Sequence, residues 1–214
     1  MDIYADPITI NCRKVLAGLQ MMEVNYDLVP VSYFDGAHKA ADYLAVNPNG
    51  FLPAMKDGDF TLWESNAILQ YAADKAGKAA FYPTDLQTRA DLNRWLLWES
   101  SSWMPSCYKY LVENCAKPLL GQEQDPSVLE GEADNFATLA SILDARLAQS
   151  SWLCGETPTI ADIAVAAPMH LHAWAQLPLG DHPNLTRWMT ENVEQLPAWK
   201  ATNIEEGFVP KPLG

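Results

Sequence analysis

The sequence is poor in basic residues, with 14 Lys and Arg against 27 Asp and Glu among 214 residues and a formal net charge of −13. Nucleic acids and anionic membranes attract clustered Lys and Arg, so this balance argues against both as partners. It leaves open an anionic small molecule, which responds to a local field. Apolar residues make up 49% and charged residues 19% of the chain, which is typical of a folded globular protein.

The chain also lacks paired cysteines, a signal peptide and a long apolar run. Its four cysteines show neither a CxxC pair nor a zinc-like spacing. The first ten residues lack a basic region followed by an apolar one, and the most apolar stretch, 160–177, contains Asp162, His170 and His172. On a helix, these two histidines would be separated by a rotation of roughly 200°, so we expect no metal site. These absences predict a cytoplasmic protein with free thiols.

The hydrophobic pattern changes near residue 80. Before it, strand and helix patterns follow the order strand, helix, strand, helix, strand, strand, helix, with Asp57-Gly58 as a hairpin signal. Beyond Pro83, the pattern is helical at 85–115, 125–148, 159–174 and 183–194. We therefore predict a small α/β domain over 1–80, a linker over 75–84 and an all-helical domain over 85–214.

Capping residues predict two helix starts. Ser65 is expected to be the N-cap of a helix that runs to about Lys75. Thr159, followed three residues later by Asp162, resembles a capping box. We therefore assign Asp162 to helix nucleation rather than to catalysis.

The loop at 47–53, Asn-Pro-Asn-Gly-Phe-Leu-Pro, contains two prolines and a glycine, which predicts a tight and rigid turn. If the Leu52–Pro53 bond is cis, the N–H and C=O groups of Leu52 point outward and could pair with an extended, peptide-like ligand. The alternative is an ordinary turn, because only about 5–6% of X–Pro bonds in folded proteins are cis.

Two polar pairs suit an anionic or zwitterionic ligand. Glu64 and Ser65 stand where a helix N-terminus favours an anion, and Glu64 could accept a hydrogen bond from an ammonium group. His38 and Lys39 could clamp a carboxylate. For each pair alone, an ordinary cap or a solvated pair is the commoner outcome.

The junction between the first strand and the first helix, residues 6–13, carries a third group of candidates. A hydroxyl or amide here, beside a helix N-terminus, could donate to a sulfur atom and favour its thiolate form. Thr9 and Asn11 are such groups. Their alternative role is helix capping, and that of Cys12 is a small buried residue.

In this order, the stretches 38–39, 47–53, 63–68 and 159–162 resemble the glutathione transferase family. The resemblance spans nearly the whole chain, and its N-terminal half is most similar to phi-like and related bacterial members, with the beta class as a second point of comparison. It implies a thioredoxin-like N-terminal domain followed by an all-helical C-terminal domain. It also implies a cytoplasmic, homodimeric detoxification enzyme that uses glutathione as co-substrate and no metal.

The resemblance further implies a role for each residue of a glutathione site. These residues are His38, Lys39, Phe51, Leu52, Pro53, Glu64 and Ser65. The backbone of Leu52, ahead of a cis Pro53, would pair with the cysteinyl part of glutathione. Glu64 and Ser65 would hold the γ-glutamyl head, and residues 38–39 would approach the glycyl carboxylate.

The catalytic position carries Ser in phi-like members and Cys in beta-class members, and counting back from Val15 places Thr9 there. We expect the Thr9 hydroxyl to donate to the glutathione sulfur, with Asn11 as the second candidate donor. Cys12 lies three residues further on and leaves mixed-disulfide chemistry open. The implied mechanism lowers the thiol pKa, and the thiolate then attacks a small hydrophobic electrophile.

The electrophile site is expected on the long helix after Asp85. Trp103 and Tyr108 flank Pro105, where a kink is expected, and we predict that they form pocket walls. The alternative activities on the same fold are those of a thiol–disulfide reductase, peroxidase, dehalogenase or ether-cleaving enzyme. An alternative of another class is a non-catalytic glutathione-binding or regulatory protein.

Overall fold

The first unit of the chain is built on a four-stranded mixed sheet. In the computed structural model, which describes residues 1–203, β1 (Asp2–Ala5) pairs in parallel with β2 (Asp27–Pro30) and antiparallel with β3 (Ala54–Asp57). The strand β4 (Phe60–Trp63) completes the order β2-β1-β3-β4. The predicted hairpin is confirmed, since β3 and β4 pair antiparallel and Asp57 lies opposite Phe60 next to the turn. The turn contains Gly58 at φ +61°.

Three helices accompany this sheet in the predicted order. They are α1 (Ile10–Met21), α2 (Ala41–Leu44) and α3 (Ser65–Lys75). Helices α1 and α3 pack against each other. Gly18 of α1 permits a close approach, because a Cβ atom there would clash with the side chain of Leu69 on α3. This packing brings the N-terminal turns of the two helices together.

The second unit, residues 84–195, is helical. Its helices are α4 (Leu86–Trp98), α5 (Met104–Leu111), α6 (Lys117–Leu119), α7 (Pro126–Leu147), α8 (Ile160–Ala166) and α9 (Pro183–Arg187). None of the helices within residues 1–203 is long and apolar enough to cross a membrane. The thioredoxin-like and all-helical parts that were predicted are therefore both present.

Prolines accompany three irregular turns of the second unit. The π-helical turns Glu99–Trp103 and Val112–Ala116 precede Pro105 and Pro118, whose rings cannot fit the regular hydrogen-bond pattern. The irregularity expected at Pro105 thus takes the form of a π-helical turn. Near Pro168, helix α8 ends at Ala166 and continues as a short 3-10 turn, so the helix predicted over 159–174 was too long.

The described C-terminal residues belong to the first unit. Residues 196–203, which include α10 (Pro197–Lys200), group with residues 1–83. The guanidinium of the buried Arg13 lies 4.2 Å from the centre of the Trp199 ring and donates to Asn203 Oδ1 at 2.5 Å. The predicted helical domain over 85–214 therefore ends at about residue 195, and its part beyond residue 203 lies outside the described residues.

The capping box predicted at the start of α8 is confirmed. The Thr159 hydroxyl accepts from the N–H of Ala161, and Asp162 Oδ2 accepts from the N–H of Thr159 at 2.9 Å. The other oxygen of Asp162 accepts from the N–H of Leu153 at 2.8 Å and from the indole of Trp188 at 3.3 Å. The fully buried carboxylate thus joins three segments of the second unit.

Burial raises the pKa of Asp162 to about 6, above its ordinary 3.8, although its hydrogen bonds oppose the shift. Between these pH values, the folded state holds a proton that the unfolded chain has lost. The contribution of Asp162 to stability therefore falls as the pH rises from about 4 to 6 and is constant above that range. Relative to Asp162→Asn, we expect wild-type stability to fall by about 2 kcal/mol between pH 4.5 and pH 7. Urea unfolding of both proteins at both pH values measures this change. A difference in free energy of unfolding between wild type and Asp162→Asn that does not depend on pH would contradict the prediction.

Candidate active site

A small cavity of about 140 Å³ opens where the N-terminal turns of α1 and α3 meet the loop before β3. All of its lining residues belong to the first unit. They are Asn11, Asn47, Asn49, Phe51, Leu52, Pro53, Trp63, Glu64 and Ser65. The fold therefore brings together residues from three separate stretches of the sequence.

The loop at 47–53 is held rigidly by side-chain hydrogen bonds to its backbone. The carbonyl oxygen of Phe51 accepts from the Tyr43 hydroxyl at 2.5 Å and from Asn47 Nδ2 at 2.7 Å. The Leu52–Pro53 bond is cis. Within residues 1–203, neither the N–H nor the C=O of Leu52 makes a hydrogen bond. The edge of the cavity thus offers one backbone donor and one backbone acceptor.

Glu64 and Ser65 begin α3 in an unusual conformation. Glu64 is the N-cap and has φ +78°, a region that non-glycine residues adopt at a cost of about 1–3 kcal/mol. Ser65 is the first helical residue and not the N-cap, so that prediction was wrong. Its hydroxyl instead lies against α1, beside the cavity.

A row of polar side chains joins α1 to the start of α3. The hydroxyl of Ser65 donates to Asn11 Oδ1 at 3.4 Å. The ammonium of Lys14 donates to Ser65 Oγ at 3.2 Å and to Asn66 Oδ1 at 3.4 Å. Lys14 is buried, with 1% of its surface exposed. A cationic group therefore stands directly behind the polar wall of the cavity.

Thr9 and Cys12, the other candidates of this junction, do not line the cavity. The Thr9 hydroxyl donates to the carbonyl of Asp6 at 3.1 Å, and its backbone forms the N-cap of α1. Cys12 is fully buried, and burial raises the pKa of its thiol to about 12. Of the three candidates, only Asn11 faces the space beside Leu52 and Ser65.

His38 and Lys39 lie on a short 3-10 turn, Ala37–Lys39, near the same loop. The ammonium of Lys39 donates to the carbonyl of Gly50 at 2.8 Å. The ring of His38 stacks on Tyr33 at 4.6 Å, and its buried Nδ1 has no hydrogen-bond partner within residues 1–203. Partial burial, followed by the charge of Lys39, lowers the pKa of His38 and favours its neutral form.

Comparison with known proteins agrees with this arrangement. Models of the glutathione S-transferase N-terminal and C-terminal domains match residues 2–74 and 105–197. The chain is 30% identical over 207 residues to a probable glutathione S-transferase, GSTF2, of Oryza sativa subsp. japonica, covering 95% of this chain and 96% of the relative. The chain belongs to the glutathione S-transferase family.

Further relatives extend the match to bacteria and to solved structures. Glutathione S-transferase GstB of Escherichia coli (strain K12) is 30% identical over 187 residues, covering 86% of this chain and 89% of the relative. The crystal structure of glutathione transferase F2 from Populus trichocarpa superposes with a TM-score of 0.87 at 26% identity, covering 94% and 96% of the two chains. As a member of this family, the protein is an enzyme of the glutathione transferase type.

In the transferase, Trp103 lies in the core and not, as was expected, at the surface of a pocket. Trp103 is fully buried, its indole donates to the carbonyl of Val165 at 3.0 Å, and its ring packs on Trp98 and Phe136. The expectation that Trp103 forms a pocket wall is corrected, because this side chain is part of the core of the second unit. Tyr108 lies on α5 with 47% of its surface exposed.

His170 and His172 of this transferase make hydrogen bonds within the protein. His170 Nδ1 bonds to the carbonyl of Ala167, and His172 Nε2 pairs with Glu194. No cluster of three or more His, Cys, Asp and Glu residues that could hold a metal ion occurs in the part of the chain from 1 to 203.

Sequence reasoning missed four residues at this site: Lys14, Asn47, Asn49 and Trp63. The loop containing Asn47 and Asn49 was recognised from its prolines and glycine, but its amide side chains were not assigned a role. Trp63 belongs to the stretch 63–68 that carries the resemblance, but it was assigned no role at the site. Lys14 carried no local signal, because its contact with Ser65 joins positions 51 residues apart.

Proposed function

We propose that this transferase activates the thiol of glutathione for attack on a small hydrophobic electrophile. The observation that supports this best is the cavity in which the unpaired backbone of Leu52, the first turn of α3 at Ser65 and the side chain of Asn11 meet. A peptide-like ligand needs a backbone partner, its carboxylate needs donors, and its sulfur needs a donor that favours the anion. The three groups supply these functions in adjacent positions.

The dimensions of the cavity support one orientation of glutathione. At about 140 Å³, it is smaller than the 300–1,000 Å³ of a typical small-molecule site, so it suits an amino-acid head group rather than the whole tripeptide. The backbone N–H groups at the N-terminus of α3, that of Ser65 among them, would hold the γ-glutamyl carboxylate, and Glu64 would accept from its ammonium group. The cysteinyl part would then pair with Leu52, between Phe51 and the cis Pro53.

The glycyl end would extend toward His38 and Lys39. Lys39 already donates to the Gly50 carbonyl, and an ammonium has three donors, so it can bind a carboxylate without losing that bond. A neutral His38 would act as a hydrogen-bond donor rather than as a second cation.

For the sulfur, the geometry favours Asn11 over Thr9. Asn11 lines the cavity with its Oδ1 engaged by Ser65, so its Nδ2 group is the donor available to a ligand. A free thiol with a pKa of about 8.5 is only a few per cent ionised at pH 7, and lowering the pKa by about 2 makes most of it thiolate. Thr9 would support the junction through its bond to Asp6.

The proposal includes a cytoplasmic homodimer. All four cysteines are unpaired, which suits a reducing compartment. Phe51 is 66% exposed, and a large apolar residue in such a position suits a contact with a second chain. Cys12 gives no support to reductase chemistry, because it is fully buried and its thiol has a pKa of about 12.

The function is tested by titrating the protein with glutathione in a calorimeter and by assaying conjugation to an activated chloronitrobenzene. We expect saturable binding and a rate above the uncatalysed reaction that depends on both substrates. A series of aromatic and aliphatic halides would then establish the electrophile class. Absence of glutathione binding at millimolar concentration would contradict the proposal, and binding without conjugation to any electrophile would favour the non-catalytic alternative.

A further inference from the structure

Lys14 is a buried residue whose ammonium donates to two side chains at the start of α3, Ser65 and Asn66. It lies in the first half of α1, and Gly18 follows it by one helical turn. Gly18 packs against Leu69, which follows Ser65 by one turn of α3. The close approach of the two helices at Gly18 and Leu69 therefore holds the Lys14 ammonium beside the start of α3.

The hydrogen bonds of Lys14 fix the polarity of the groups in front of it. An ammonium only donates, so Ser65 Oγ acts as the acceptor of the 3.2 Å bond. The proton of the Ser65 hydroxyl must then be given to another acceptor, and Asn11 Oδ1 lies 3.4 Å away. Asn11 thereby has its oxygen occupied and presents its Nδ2 donors to the cavity.

The charge of Lys14 also favours a negative charge in front of the Asn11 amide. A cation polarises a chain of hydrogen bonds so that each following donor becomes stronger, and the effect is larger in a low-dielectric interior. The N-terminus of α3 adds partial positive charge at the same place. A negative charge that forms in the cavity is therefore stabilised by both.

We infer that Lys14 is a positioning residue of the reaction, which orients Asn11 through Ser65 and lowers the pKa of the thiol of bound glutathione. The inference rests on the proposed function and extends it from the residues that touch glutathione to one that acts behind them. Lys14 itself does not line the cavity.

The test measures the pKa of the thiol in the complex with glutathione, from the ultraviolet absorbance of the thiolate and from the pH dependence of kcat/KM. In Lys14→Met, which keeps the length of the side chain and removes its charge, we expect this pKa to rise by about 1, which leaves about tenfold less thiolate below the pKa. Lys56→Met, at an exposed position in β3, is the matched control and should leave the pKa unchanged.

A second comparison separates the relay from a purely structural role. In an Asn11→Ala background, Lys14→Met should change the thiol pKa much less than it does in the wild type, because the relay is already broken. Lys14→Arg, which keeps the charge, should restore part of the effect. An unchanged thiol pKa in a folded Lys14→Met protein would overturn the inference, as would fully additive effects of the two substitutions.

Two outcomes keep the inference separate from the proposed function. If the wild type does not bind glutathione, the proposed function fails, whereas a low thiol pKa in the wild type that is retained in Lys14→Met contradicts only the role of Lys14. If Lys14→Met does not fold, Ser65→Ala breaks the relay with Lys14 in place. It should raise the thiol pKa by a similar amount, and an unchanged value would overturn the inference.

Discussion

Replacing Asp162 by Ala is expected to destabilise the protein by about 3–5 kcal/mol. The substitution removes the acceptor of the N–H groups of Leu153 and Thr159 and of the Trp188 indole, all inside the second unit. A buried donor that loses its partner costs about 1–3 kcal/mol. Part of this loss is offset because the buried carboxylate, whose pKa is raised to about 6, no longer has to be desolvated.

Urea unfolding followed by tryptophan fluorescence measures this change, since Trp188 is one of the donors. With a slope of about 2 kcal/mol per M, the midpoint should fall by about 2 M. Asp134→Ala is the matched control, because Asp134 is an exposed acidic residue on α7 of the same unit, and it should shift the free energy of unfolding by less than about 0.5 kcal/mol. A loss below about 1 kcal/mol in Asp162→Ala would show that these donors find other partners.

Local patterns were sufficient to predict the order of elements and the capping box. The hairpin depends on a glycine with positive φ, and the box depends on two side chains three residues apart. Both are short-range features of the chain. The end of α8 was not predicted, because hydrophobic residues continue past Pro168 while the helical hydrogen bonds do not.

The parts of the site that the sequence predicted lie where neighbouring residues act together. Leu52 with Pro53, and Glu64 with Ser65, each belong to one turn of the chain, so adjacency in sequence becomes adjacency at the cavity. Ser65 was nevertheless misread as a cap, since a serine at a helix start normally bonds to its own helix. Here its hydroxyl bonds to α1 instead.

Contacts between distant segments could not be predicted. On a helical wheel, Arg13 and Lys14 are charged positions that face solvent by default, whereas both are buried in the structure. Arg13 binds residues near the C-terminus, and Lys14 binds the start of α3. These bonds join positions more than 50 residues apart, so the periodicity of the sequence carries no information about them.

The choice between Thr9 and Asn11 shows the same limit at the catalytic position. From the sequence, a hydroxyl at the family position was the first candidate. The structure gives that hydroxyl a partner within its own turn, the carbonyl of Asp6, and places Asn11 at the cavity. Thr9 and Asn11 are only two residues apart, but their side chains point in different directions because α1 begins between them.

Asn11→Ala is therefore expected to lower kcat/KM for conjugation by about 10²–10³, the usual cost of removing one donor to a developing anion. The loss should appear mainly in kcat and in a higher pKa of the bound thiol, because binding of the γ-glutamyl head depends on other groups. Thr9→Ala is the matched comparison at the same junction. Its expected loss is about 3–5-fold, since it removes a hydrogen bond worth about 1 kcal/mol that holds the turn.

The affinity for S-methylglutathione distinguishes the two ways in which these variants could lose activity. This ligand has no ionisable thiol, so a donor to the thiolate should affect its affinity little, whereas a collapsed site would weaken it strongly. We expect both variants to bind it within about threefold of the wild type. If Thr9→Ala lost 10²-fold or more in kcat/KM while Asn11→Ala stayed near the wild type, the hydroxyl of Thr9 would have to leave Asp6 when glutathione binds, and Thr9 would be the donor.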